Sequence, residues 1–162
     1  MELRATLPSD AEAIRQIYNV EVLSSTVTFD LIERTVEEQR TWQEEHQGAY
    51  PAIVAVIDGR IAGFASLSPY RPRPAYSTTA EESVYVDKDF RGHGVGLALL
   101  TEIIERAKSH GFHAVMARIV GHHEVSIGLH KRCGFISIGV EREVGRKFGK
   151  WLDVELMQRM ID

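Results

Sequence analysis

Apolar and polar positions change rhythm several times along the chain, and each change marks an element. Residues Glu2–Thr6 alternate with the two-residue period of a short strand. "SDAE" at Ser9–Glu12 has the spacing of a capping box, in which the serine hydroxyl takes a free helix N–H and the glutamate reaches back. Ala13, Ile14, Ile17 and Tyr18 then recur on one helical face. Leu23–Phe29 is polar and β-branched and reads as a loop, and a second capping box, Thr35–Glu38, opens a helix to about His46. From Pro51 to Tyr70 two apolar runs flank Asp58-Gly59, the signature of a hairpin closed by a type I′ turn.

Arg71–Glu82 carries two prolines and no period, so it reads as a surface loop. Ser83–Asp87 has strand character, Val95–His110 is an amphipathic helix ended by Gly111, and His113–Val120 is another strand. Glu124–Cys133 is a short helix stopped by Gly134, and Phe135–Val144 and Lys150–Ile161 alternate as strands around the turn Gly145–Lys150. The order is strand, two helices, three strands, helix, strand, helix, two strands. Such an order predicts an α/β (mixed α+β) fold with a central mixed sheet and helices on its faces, not a fully parallel doubly wound sheet. With 162 residues and no repeat, linker or low-complexity segment, residues 1–162 are expected to form one domain.

Charge narrows the functional classes. Nineteen Lys and Arg against 23 Asp and Glu give a net charge of −4, which argues against a nucleic-acid binder. A single cysteine, Cys133, allows no internal disulfide. The N-terminal residues lack an apolar signal core, and no apolar run reaches the roughly 18 residues of a membrane span. A cytoplasmic protein is therefore expected.

The chemistry-bearing stretch is "DFRGHGVG", Asp89–Gly96, set between a strand and a helix. Closely spaced glycines let backbone N–H groups converge on a concavity, and the helix behind adds free N–H groups and a dipole. Arg91 adds a positive charge at the mouth. The spacing fits a diphosphate cradle and equally a tight strand-to-helix turn. The Rossmann pattern G-x-G-x-x-G fails here, because the glycines are Gly92, Gly94 and Gly96 and no acid follows on "FHAVMAR". A P-loop would need Gly-Lys-Ser/Thr, which is absent.

The segment resembles the acetyl-CoA-binding motif of the GNAT acetyltransferases, Arg/Gln-x-x-Gly-x-Gly/Ala, matched by Arg91, Gly94 and Gly96. "SIGLHKRCGF" (Ser126–Phe135) is similar to the family's second half. With "SSTVTF", "AYSTTAEESVYV" and "GRKFGKWLDVELMQ", the likeness narrows to the phosphinothricin and methionine sulfoximine acetyltransferases and spreads from residue 24 to residue 158.

This resemblance implies a GNAT-type twisted, mostly antiparallel sheet, acetyl-CoA as co-substrate and no metal. Arg91, Gly92, His93, Gly94, Val95 and Gly96 would hold the diphosphate, and the backbone of Val84, Tyr85 and Val86 would pair with the pantetheine. Ser126 and His123 would add polar contacts; His123 stands where the family commonly has Asn. Glu81 matches the glutamate base, which would take a proton from an amine whose pKa is near 8. Glu82 points the other way on an extended strand and reads as a solvated charge. His130 matches a family histidine, either protonating the leaving thiolate or holding the pantetheine end. Tyr85 is a possible acid or simply a buried ring, and Cys133 reads as a core residue.

For a small zwitterionic substrate, the resemblance makes Phe29 an aromatic wall. Arg73 and Tyr76 match the loop that would close on the carboxylate, for which a guanidinium is well shaped; Arg71 could take the place of Arg73, and Thr79 could add a hydroxyl contact. Val144, in the Val144–Trp151 turn, would reach across a two-fold homodimer into the partner's pocket. No nucleic acid or membrane partner is expected. Competing readings are a GNAT acting on a protein N-terminus or a polyamine, and a non-catalytic acyl-CoA sensor. The sequence does not select the physiological substrate.

Overall fold

The computed structural model describes residues 1–161. Seven strands and four helices appear in the expected order: β1 (Glu2–Ala5), α1 (Ala11–Ser24), α2 (Val36–Glu45), β2 (Ala52–Ile57), β3 (Arg60–Pro69), β4 (Thr79–Val86), α3 (Val95–Ser109), β5 (Ala114–Val120), α4 (Glu124–Arg132), β6 (Ile136–Lys147) and β7 (Lys150–Met160). They form one sheet in the order β1-β2-β3-β4-β5-β7-β6. Only β4 and β5 run parallel; all other neighbours are antiparallel.

Alternation along the strands splits the core in two. Ile53, Ala55, Ala65, Leu67 and Val115 face α3, whose Leu99, Leu100, Ile103, Ile104 and Ala107 form a stripe at helical spacing. Val54 and Phe64 face the opposite side and pack on Ile14, Ile17, Tyr18 and Val22 of α1. Each fully buried Leu or Ile contributes roughly 1.5–3 kcal/mol, so α3 is fixed by packing far more than by helix propensity.

Several local expectations change. Ser9 does not cap α1: Pro8–Asp10 form a 3₁₀ turn, and it is the buried Asp10 that accepts the Leu7 N–H at 2.7 Å and pairs with Arg4. Glu12 instead bridges to Arg15 at 2.9 Å. The loop after α1 starts at Ser25, because α1 continues to Ser24. The expected loop through Glu82 is cut short: after the 3₁₀ turn Pro74–Tyr76, β4 begins at Thr79. Its polar residues are drawn into the sheet by pairing, with Ala80 opposite Pro69 of β3 and Val115 of β5. The last hairpin is tighter than expected, since β6 runs to Lys147 and only Phe148 and Gly149 (φ 51° and 71°) make the turn. The Thr35–Glu38 capping box forms on α2, and Asp58-Gly59 closes its hairpin at φ 49° and 75°.

Gly63 on β3 tests how closely the sheet is packed. A Cβ there would lie 2.7 Å from the Tyr85 carbonyl oxygen and 3.0 Å from Leu99 Cδ1. Gly63→Ala is expected to cost about 1–3 kcal/mol by overpacking, a fall of roughly 2–4 °C in Tm per kcal/mol at this chain length. A thermal melt with an unchanged midpoint would show that the sheet absorbs the methyl group.

Candidate functional site

The parallel strands β4 and β5 pair at only three positions, ending with Glu81 opposite Met116. Both continue beyond that point, β4 to Val86 and β5 to Val120, and a gap opens between them. The N–H of Asp87 bonds to Ala62 O on the β3 side. By alternation the backbone N–H and C=O groups of Val86, Val84 and Glu82 point the other way, the first two into the gap. This edge can accept an added extended chain.

At the end of the gap lies the loop Arg91–Gly96. Gly92 and Gly94 hold φ of 78° and 79°, a region that disfavours any Cβ. Gly94 is the N-cap of α3 and supplies no side-chain cap, so the first-turn N–H groups of α3 have no partner from it. Val95 is buried behind them. His93 Nδ1 meets the Arg91 carbonyl at 2.9 Å and closes the loop on itself. Gly96 permits close approach: a Cβ would stand 3.2 Å from Leu129 of α4 and 3.6 Å from Val86 Cγ2. The Arg91 guanidinium pairs with Glu21 on α1 and reaches Val86 O at 3.4 Å.

On the far side of the loop, His123 caps α4. Its Nδ1 accepts the Ser126 N–H at 3.2 Å, which leaves Nε2 as the protonated nitrogen of the neutral ring. The hydroxyl of Ser126 lies 3.5 Å from His130 Nδ1.

Glu81 and Glu82 project to opposite faces of β4, as the strand period requires. Glu81 is half-buried, and its Oε1 is enclosed without a hydrogen-bond partner. The nearest cation is Arg118 on β5, with Nε at 3.8 Å, and Arg118 also holds Glu141 on β6 at 2.7 Å. Burial raises the Glu81 carboxyl above the ordinary range, the Arg118 and Arg71 charges pull it down, and Glu82 raises it. Burial thus gives this carboxylate a higher proton affinity than an ordinary solvent-exposed one.

Glu82 corrects the sequence reading. It is not a solvated charge but is 5% exposed, with Oε1 2.7 Å from His130 Nε2. Tertiary contact decides this, because α4 brings the histidine over a strand position that polarity alone assigns to solvent. His130 Nδ1 meets the Ser126 carbonyl at 2.7 Å, so both ring nitrogens are engaged. Tyr85 packs its ring against Phe64 at 5.2 Å and Tyr18 at 5.3 Å, and burial raises its hydroxyl strongly, so it stays protonated. Cys133 is buried in the α3-side core, and burial pushes its thiol up.

Phe29 lies in the loop after α1, with its ring against Gly145 of β6; a Cβ at Gly145 would come within 2.3 Å of it. The loop is tied down by Tyr18, whose hydroxyl bonds Thr28 Oγ1 at 3.0 Å and also Asp30. Lys147, 4% exposed, donates to Thr28 O at 2.9 Å and Glu21 O at 3.4 Å. Arg71, Arg73 and Tyr76 are exposed around the 3₁₀ turn, with the Arg71 guanidinium 5.0 Å from the Tyr70 ring and 5.8 Å from the Tyr76 ring. Thr79 sits at the start of β4, opposite Ala114. Val144, Phe148 and Trp151 on the last hairpin are all more than half exposed, at 52%, 57% and 60%.

Sequence reasoning missed Glu21, Glu82, Arg118, Gly145 and Lys147. Arg118 alone left a trace, as the polar position between the buried Ala117 and Ile119. An open depression of about 510 Å³ between α1 and the β2–β3 turn, lined in part by Arg4, Glu21, Arg60 and Asp87, includes neither Glu81 nor the glycine loop.

The chain is 38% identical over 156 residues, 95% of this chain and 91% of the relative, to an L-methionine sulfoximine/L-methionine sulfone acetyltransferase of Pseudomonas paraeruginosa. Its fold superposes with TM-score 0.97 on a ribosomal-protein-alanine N-acetyltransferase from Brucella melitensis, at 34% identity and covering 99% and 100% of the two chains. It matches equally, with TM-score 0.97, 34% identity and 100% and 94% coverage, a putative acetyltransferase, yncA, from Salmonella typhimurium solved with its cofactor acetyl-CoA. The model of the Acetyltransferase (GNAT) family matches residues 13–135. A parted pair of parallel strands, with a glycine-capped helix at its end, thus belongs to a known lineage: the chain is a member of the GNAT acetyltransferase family.

Proposed function

We propose that this enzyme moves the acetyl group of acetyl-CoA to the α-amine of a small amino-acid-like substrate, such as methionine sulfone, methionine sulfoximine or phosphinothricin. The observation that carries the reading is the gap between β4 and β5, with a glycine-capped helix N-terminus at its end and, at its root, the half-buried Glu81 carboxylate, whose Oε1 has no hydrogen-bond partner. The similarity to the methionine sulfoximine/sulfone acetyltransferase supports the acceptor class.

The residues fit the co-substrate. The N–H groups of Gly92, His93, Gly94, Val95 and Gly96, with Arg91, suit a diphosphate. The unpaired edge of Val84 and Val86, flanking Tyr85, suits an extended amide chain, and Ser126 and His123 offer polar contacts from α4. The bound thioester supplies the acetyl group to be transferred. Glu81 takes the proton from the substrate ammonium and frees the nitrogen lone pair. A β4 backbone N–H facing the gap holds the charge that develops on the acyl oxygen. His130 holds α4 in place beside the leaving sulfur. Transfer is direct and needs no protein nucleophile, so Cys133 stays in the core.

Phe29 forms the acceptor's wall, and Arg71, Arg73, Tyr76 and Thr79 receive its carboxylate. The exposed Val144, Phe148 and Trp151 support a homodimer in which Val144 of one copy faces the other copy's acceptor site. The lone free cysteine fits a cytoplasmic setting.

The deciding experiment is CoA release from acetyl-CoA with a panel of methionine sulfone, methionine sulfoximine, phosphinothricin, common amino acids, spermidine and a short peptide. Turnover confined to the amino-acid analogues is expected; turnover of peptide or polyamine alone overturns the acceptor assignment. Gly94→Val, which forces a branched residue to φ 79°, is expected to weaken acetyl-CoA binding about tenfold or more, as read by calorimetric titration. Unchanged affinity would remove the loop from the diphosphate role.

Glu81 acts as a base only when ionised, so kcat/KM should fall as pH drops through its raised value. Arg118→Ala removes a charge that holds this carboxyl down and should move the acid limb to higher pH. Glu81→Gln should lower kcat about 10²-fold or more and abolish that limb. A pH profile identical in all three proteins would place the base elsewhere.

A further inference from the structure

Glu82 is the first residue of β4 beyond the last β4–β5 ladder pair. At the point where the sheet stops joining the two strands, its side chain crosses to His130 of α4 at 2.7 Å. The helix α4 follows β5 in the chain, so the bond ties β4 to the element that continues its lost neighbour. Above the bond, Val86, Gly96 and Leu129 meet from β4, α3 and α4.

The proton count of the pair is fixed by its surroundings. His130 Nδ1 faces a carbonyl oxygen and must donate to it, so Nδ1 carries a hydrogen. One proton then lies between Nε2 and Glu82 Oε1, and the pair is neutral as a whole. Burial lowers the affinity of His130 for its second proton, but the Glu82 bond and charge outweigh it and raise it overall. The second carboxylate oxygen, Oε2, is enclosed with no partner. A buried pair with an unsatisfied oxygen is a poor source of stability compared with apolar side chains of the same volume. Its value lies in the position it enforces.

We propose that Glu82 is a positioning residue that clasps α4 to β4 at the root of the gap and thereby sets the width of the acetyl-CoA cleft. The inference rests on the acetyl-CoA reading of that cleft, and not on the identity of the acceptor. Glu82 touches no reacting atom: it lies on the face of β4 opposite Glu81 and acts through His130. Breaking the clasp lets α4 drift from β4, and the unpaired edge of Val84 and Val86 then no longer faces a wall at a fixed distance.

The test is calorimetric titration of acetyl-CoA into the wild-type chain and into Glu82→Ala, Glu82→Met and Glu82→Gln, each checked for native circular dichroism. Met fills the volume of Glu without a bond to His130 and serves if the Ala variant does not fold. The Ala and Met variants are expected to bind about tenfold more weakly. Gln, whose amide can donate to Nε2, should return the affinity to within about threefold of wild type. Turnover should show the same pattern in the KM for acetyl-CoA, with kcat moving less. Undiminished binding by the Met variant, or no recovery in the Gln variant, overturns the proposal. The titration contains no acceptor, so an error in the acceptor class would appear only in the turnover panel.

Discussion

Three ladder pairs hold β4 to β5, and the absence of a fourth is the constraint on which the rest of the molecule turns. A parallel pair that continued would seal the sheet and leave no backbone for a ligand to meet. A pair that never formed would leave Glu81 and Arg118 unregistered on separate strands. The short pairing does both jobs: it fixes Glu81 opposite Met116, two residues from Arg118, and then frees the edge beyond. The core supports this division, because α3 packs across β2, β3 and β4 on one side and α1 anchors β3 on the other, so β4 needs no help from β5 at its far end.

Two adjacent acidic residues on β4 have opposite electrostatic fates. Glu81 faces α1's side of the sheet with an unpartnered oxygen and a cation at 3.8 Å, close enough to moderate its proton affinity and too far to lock it. Glu82 faces the other side and is engaged with one histidine. The sheet between them keeps the half-buried Glu81 carboxylate apart from the buried Glu82–His130 pair. Their proximity along the chain still couples them, since the Glu82 charge is one of the influences that raise Glu81.

Much of the fold was legible because most elements carry their own signal. The stripe of α3, the Asp58-Gly59 turn and the Thr35–Glu38 box are local patterns, and each forms as the spacing predicts. The start of β4 was not legible: Thr79–Glu82 looks like loop, and only pairing on both flanks makes it strand. The Ser9 cap does not form, because a proline-led 3₁₀ turn precedes α1 and turns the Asp10 carboxylate to Arg4 and the Leu7 N–H. The site divided along the same line. The glycine loop announces itself in one short segment. The Glu82–His130 contact joins residues 48 apart, and Lys147 reaches Thr28 across 119, so no local pattern encodes them. A solvated charge and a buried partner look alike until a helix is laid across the strand.

The surface around Phe29, the proposed wall for the acceptor, owes its shape to a missing side chain. Phe29 rests where the Cβ of residue 145 would be, so the ring's seat is an empty place on β6 rather than a contact with a matched group. On the proposal that Phe29 walls the acceptor, the evolutionary lever for acceptor choice lies away from that aromatic residue, at Gly145. A lineage could reshape this surface by one replacement on the last hairpin, leaving the glycine loop, Glu81 and the cleft as they are. Substrate preference would then diverge between close relatives while the acetyl-transfer apparatus stayed fixed.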